Sequence, residues 1–225
     1  MGASVAARAP ERQTLHPVAR PVSWRAVALC ERVFALALAL ALLPIVTVAA
    51  AVVALLSGRS PFVAVARAGL RGRRIWLLKI RTMWDGEADI RSRRRLVQRI
   101  ANAAVPEIKT DDDPRVTSAF AAFCRRYSID ELPQLWHVVR GEMSLVGPRP
   151  LTYSELETHY GYNASEVLSV RPGLTGLWQV KGRNSLTYPQ RLALDLHLVR
   201  NWSVSLYLSL LAATIPAVFS GRNAG

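Results

Sequence analysis

From Val33 to Leu56 the chain runs for 24 positions without a charge, V-F-A-L-A-L-A-L-A-L-L-P-I-V-T-V-A-A-A-V-V-A-L-L. A helix of that length reaches across a bilayer, and the run starts too late and is too long for a signal peptide. Pro44 stands at its middle, where it removes a backbone hydrogen bond and predicts a break. Arg20, Arg25 and Arg32 precede the run and Arg59, Arg67 and Arg71 follow it, so both flanks ask for the same cytosolic side. A re-entrant helix-break-helix over residues 24–58 satisfies both, and a kinked span is the alternative. Residues 1–23 carry Ala, Pro and Arg without apolar periodicity and read as a disordered tail.

The rest of the pattern predicts a mostly helical domain over residues 59–225. Val116, Phe120 and Phe123 have helical spacing up to Arg126. Ser128-Ile-Asp-Glu131, with Pro133 in the first turn, predicts a capping box opening a helix through Leu132, Leu135, Trp136 and Val139, ended by Gly141. Tyr153 to Leu168 reads as a polar helix and connector, and a further helix starts at Tyr188. Trp202 to Phe219 is apolar and uncharged, which suits helices lying in a membrane interface; a buried core helix is the competing view.

Charge changes this picture. The net charge is +13, and residues 59–99 hold twelve Lys or Arg against three acids, or +9 of it. A basic block directly after an apolar run suits anionic lipid headgroups. No basic stripe interleaved with exposed aromatics supports a nucleic-acid partner. Cys30 and Cys124 are far apart, in keeping with a reducing compartment. The four histidines have no ligand spacing for zinc.

Two adjacent carboxylates, Asp130 and Glu131, fall at a helix start, where acids complement the dipole with no further purpose. Their company gives them more: Gly147-Pro-Arg-Pro150 fixes the backbone around Arg149, a guanidinium suited to bidentate phosphate contact. Arg171-Pro-Gly-Leu-Thr-Gly176 is a tight turn that could nest a phosphate, and Arg183 lies in a second turn. Lys79 and Arg81, at i and i+2 of a strand, could neutralise a phosphate or the acids, or simply face solvent. Arg191 and Asp195, at i and i+4, fit a surface ion pair.

Asp130-Glu-Leu-Pro-Gln-Leu-Trp136, Gly141-Glu-Met-Ser-Leu-Val-Gly-Pro-Arg-Pro150 and Arg171-Pro-Gly-Leu-Thr-Gly-Leu-Trp-Gln-Val-Lys-Gly-Arg183, in this order, resemble the bacterial sugar transferase family, the monotopic polyprenyl-phosphate phosphoglycosyl transferases. The likeness runs from about Arg32 to the C-terminus. It implies an α+β, mostly helical, membrane-associated protein with a re-entrant segment broken at Pro44. It further implies a β-hairpin over residues 62–82, turned at Gly69 and Gly72, and C-terminal interfacial helices. Residues 59–225 would form the catalytic domain.

The implied reaction moves a sugar 1-phosphate from a nucleoside-diphosphate sugar, a UDP-sugar by analogy, to polyprenyl phosphate at the cytoplasmic face of the inner membrane. Asp130 is the expected nucleophile and Mg2+ ligand, with Glu131 assisting as base. Lys79, Arg81, Arg115, Arg149, Arg171, Arg183 and Asp195 are expected around the phosphates. The short form carries no large N-terminal membrane region, and a homodimer stays open. The rival is a non-catalytic, membrane-anchored basic scaffold, in which the acid pair merely caps a helix.

Overall fold

The computed structural model describes residues 23–84, 116, 118–182 and 185–219. The tail expected before Ser23, the Asp111–Arg115 loop and residues 85–99 of the basic block lie outside them.

Helix α1, Ser23–Ser57, is one helix of 35 residues with Pro44 inside it. The expected break at Pro44 is absent. Thr47 Oγ1 donates to the Leu43 carbonyl at 2.9 Å, a bond four residues back of the kind that bends a helix without ending it. At ~1.5 Å per residue α1 is roughly 50 Å long, well beyond the ~30 Å of a bilayer core.

Both halves of α1 pack on the same folded body. Ala35, Leu38 and Leu42 join the main core of Leu135, Val138, Met143, Leu145, Tyr207 and Leu210. Val46, Ala49 and Val53 join a second cluster with Ile80, Phe120, Cys124 and Ile129. Phe34, Leu40, Leu43, Val48 and Leu55 are exposed, an apolar surface that water disfavours and lipid does not. Glu31 is buried on this helix. One of its oxygens accepts from the Ser144 hydroxyl at 2.6 Å, the Tyr207 hydroxyl at 2.7 Å and the Leu145 N–H.

Strands β1 (Phe62–Ala68) and β2 (Arg74–Ile80) form the expected antiparallel hairpin, registered from Phe62 opposite Ile80 to Ala68 opposite Arg74. Its turn places Arg71 at φ 54 and Gly72 at φ 74, conformations that glycine adopts without steric cost. Helix α2, Ala119–Arg126, is capped by Ser118, whose hydroxyl accepts from the Ala121 N–H. A 3-10 turn, Ile129–Gln134, then leads into α3, Leu135–Val139, which stops at Gly141 with φ 72.

Strands β3 (Ser144–Val146) and β4 (Gly173–Thr175) pair in parallel, a second sheet whose three-residue strands are too short to leave an alternation in the sequence. Between them lie α4 (Tyr153–Glu155), continued as a π-turn through Leu156–Tyr160, and α5 (Ala164–Val167). Helices α6 (Leu177–Lys181), α7 (Tyr188–Arg200) and α8 (Val204–Phe219) complete the described chain. In α8, Tyr207 and Leu210 are buried while Val204, Leu208 and Ile215 are exposed. One side of this apolar helix is therefore core and another is not.

Candidate active site

The acid pair sits on the 3-10 turn, and the expected capping box does not form. Ser128 has φ 56 and its side chain makes no cap; its carbonyl, not its hydroxyl, meets the Glu131 N–H, at 3.1 Å. The Glu131 carboxylate is engaged across the fold instead, 2.6 Å from Lys79 Nζ on β2. Asp130 is buried, at 8% exposure. Beside it the Cys124 thiol is pushed up to about 11, first by burial and then by the Asp130 charge, so at neutral pH it is a protonated, inert neighbour. Ile129, Cys124, β2 and the second half of α1 together form the apolar floor under the pair.

A second group of side chains surrounds Trp178 on α6. The Arg149 guanidinium lies 5.5 Å from the ring centre, and that of Arg191 lies 4.8 Å from it and 5.1 Å from the Tyr188 ring. Stacking on an aromatic face holds each cation while leaving its in-plane N–H groups to other partners. The backbone brings Arg149 to the Arg171 turn. The Gly147 N–H donates to the Thr175 carbonyl at 2.9 Å, and the Gly173 N–H to the Pro148 carbonyl at 2.8 Å. A Cβ on Gly147 would stand 2.6 Å from the Arg171 carbonyl oxygen, so the two turns touch backbone to backbone. The phosphate nest expected at Arg171 is altered by this contact, since the Gly173 N–H is spent on Pro148.

Asp195 and Arg191 are not the surface pair that their spacing allows: their exposures are 0% and 3%. Asp195 lies behind the arginines, accepting from the Tyr160 hydroxyl at 2.9 Å. Burial pushes its carboxyl up to about 7, against the opposing pull of Tyr160, Arg149 and Arg191. Glu155 shows the opposite balance. Burial raises it, but bonds from the Thr152 N–H and hydroxyl and the charges of Arg149 and Arg67 hold it below the ordinary carboxylate range. Sequence reasoning passed over Glu155 and Trp178; the Thr152-x-x-Glu155 capping spacing was the available signal for the first.

Of the remaining expected residues, Arg81 donates to the Ser60 carbonyl at 2.8 Å and the Phe62 carbonyl at 3.5 Å, pinning the start of the hairpin rather than meeting either acid. Arg115 and Arg183 lie outside the described residues. Among the described residues no group of three or more His, Cys, Asp or Glu could cage a metal. The donor set does fit Mg2+, which is held by one or two carboxylates together with substrate phosphates and retained waters rather than by a protein cage. Asp130, the buried member of the pair, is the carboxylate that could hold it.

The family model for bacterial sugar transferases matches residues 23–221, and the chain belongs to that family. The chain is 41% identical over 191 residues to the exopolysaccharide production protein ExoY of Sinorhizobium fredii, covering 82% of this chain and 81% of the relative. It is 40% identical to the UDP-galactose-lipid carrier transferase of Erwinia amylovora, over 74% of this chain and 35% of that protein. Over 83% of this chain and 34% of the relative it is 34% identical to the undecaprenyl-phosphate glucose phosphotransferase of Komagataeibacter xylinus. The chain thus spans most of ExoY and about a third of the two longer transferases.

Proposed function

We propose that the protein transfers a sugar 1-phosphate from a UDP-sugar to polyprenyl phosphate, giving polyprenyl-diphosphate-sugar and UMP, as the membrane step that starts an exopolysaccharide or related glycoconjugate. One observation carries the reading: in a chain of this family, a buried aspartate stands next to a glutamate clamped by a lysine from another element. A helix cap would need neither the burial nor the clamp.

The Asp130 carboxylate attacks the sugar-bearing phosphorus of the donor, and the bond to the bridging oxygen breaks with UMP as leaving group. An oxygen of polyprenyl phosphate then attacks the same phosphorus and frees Asp130. Glu131, held by Lys79, takes the proton of the incoming lipid phosphate where it carries one. Arg149, fixed on Trp178, and Arg171, on the adjoining turn, face the charge of the transferred phosphoryl group. Mg2+ held by Asp130 would withdraw charge from the diphosphate as it breaks. One phosphoanhydride replaces another, so no ATP is consumed.

The acceptor's phosphate lies at the headgroup plane, and α1 sets the acid pair at that depth. The packing of both halves of α1 on one body supports a monotopic arrangement with both helix ends at the cytoplasmic face. The exposed apolar residues of α8 support its lying in the interface.

The test is UMP release by detergent-purified protein given a panel of UDP-sugars, Mg2+ and polyprenyl phosphate. Lipid-dependent release that is lost with EDTA and in Asp130→Asn is expected. Full release by Asp130→Asn would refute the assignment of the nucleophile, and silence of well-folded wild-type protein across the panel would refute the reaction.

A further inference from the structure

His137, on α3, is buried and bonded at both ring nitrogens. Its Nε2 lies 3.1 Å from the Leu78 backbone nitrogen on β2, and its Nδ1 lies 2.6 Å from Glu142 Oε2. A backbone N–H can only donate, so Nε2 accepts and carries no proton. Nδ1 therefore holds the proton and donates to Glu142, which makes His137 a neutral imidazole of one defined tautomer. Its backbone is fixed as well: the His137 carbonyl accepts from the N–H groups of Glu142 at 2.9 Å and Met143 at 3.1 Å. Glu142 is held in turn by Arg140 at 2.9 Å.

The bond to Leu78 falls on the side of β2 that β1 does not pair. β2 belongs to a two-stranded sheet, so an N–H on its free edge has no strand to receive it. The residue after Leu78 is Lys79, whose ammonium reaches Glu131. A chain of contacts thus runs from Arg140 and Glu142 through His137 to the β2 backbone, and from there through Lys79 to the acid pair.

We propose that His137 is a positioning residue for the transfer reaction: as a neutral imidazole it clamps the free edge of β2 at Leu78 and so sets Lys79 against Glu131. The inference rests on the reading of Asp130 and Glu131 as the reacting pair.

The experiment compares wild type, His137→Ala, His137→Gln, Lys79→Met and the Ala/Met double variant, by UMP release and by amide hydrogen exchange at Leu78. The Gln side-chain oxygen can accept from the Leu78 N–H as the imidazole does. His137→Ala should lower kcat roughly 10- to 100-fold, the scale of a misplaced catalytic group, with little change in the donor KM. It should speed exchange at Leu78, and add no further loss on top of Lys79→Met. His137→Gln should keep most of the rate. Multiplicative losses in the double variant, a loss in His137→Gln as large as that in His137→Ala, or unchanged Leu78 exchange in His137→Ala would each overturn the clamp. A wild type with no Asp130-dependent release overturns the reaction instead, and Leu78 exchange then decides the clamp by itself.

Discussion

Lys79 Nζ stands 2.6 Å from Glu131 Oε1, tying the second strand of the hairpin to the turn that carries the acid pair. The side chains are 21% and 28% exposed, so the pair is partly shielded from solvent and is stronger than a free surface bridge. Lys79→Met keeps most of the stem and removes the charge. A charge-assisted bond of about 1.5–3 kcal/mol predicts a kcat loss of roughly 10- to 100-fold, with partial recovery in Lys79→Arg. UMP release measures it, and a Met variant at the full rate would reduce the pair to scaffolding.

Asp195 titrates near 7 in the fold against an ordinary 3.8. Between those values the unfolded chain ionises while the folded protein stays protonated, so this residue's contribution to stability falls as pH rises from about 4 to 7. By pH 8 the cost is complete, on the order of 4 kcal/mol for a shift of this size. Asp195→Asn keeps an oxygen for the Tyr160 hydroxyl and removes the titration. The Tm difference, variant minus wild type, should therefore grow across pH 4 to 7 and level off above. A difference that does not vary with pH would show that Asp195 does not titrate in that window.

Glu31 gathers three donors on one oxygen: the hydroxyls of Ser144 and Tyr207 and the Leu145 N–H. Glu31→Ala strands all three in a buried site, at about 1–3 kcal/mol for each group left without a partner. Glu31→Gln retains an oxygen at the same reach and loses only the charge. The Ala variant should melt far below wild type and the Gln variant close to it, as read by thermal unfolding in detergent. Equal melting of the two would mean that the donors find other partners.

The apolar helix was legible because an uncharged run leaves a local trace, and the hairpin followed from the resemblance, with Gly69 and Gly72 permitting its turn. Glu31 was not legible, because it precedes the uncharged run and nothing local says that β3 and α8 will close over it. His137 was weighed only as a zinc ligand, and its real partners, Leu78 and Glu142, include one 59 residues away. The same holds for Asp195: its i, i+4 spacing to Arg191 fits a solvated face equally well, and only the packing of Tyr160 and Trp178 buries it. The capping box failed for a local reason, since Ser128 adopts a left-handed φ that its neighbours do not announce.

The membrane helix makes the last prediction. A span would carry Cys30, near the start of α1, and Ser60, just past its end, to opposite sides of the bilayer. Yet residues near both ends touch the same body: Glu31 bonds to β3 and α8, and Val53 packs with Ile80 and Cys124. We therefore expect the body that holds both ends to stay on one side of the membrane, with an α1 of roughly 50 Å bent or tilted within one leaflet rather than crossing. Cys30 is exposed and Cys124 buried, so the native protein offers one reactive thiol, and Ser60→Cys adds a second at an exposed position. A membrane-impermeant maleimide should label both sites in inside-out vesicles and neither in right-side-out ones. Labelling of Cys30 from one side and of Ser60→Cys from the other would establish a span and refute the monotopic arrangement.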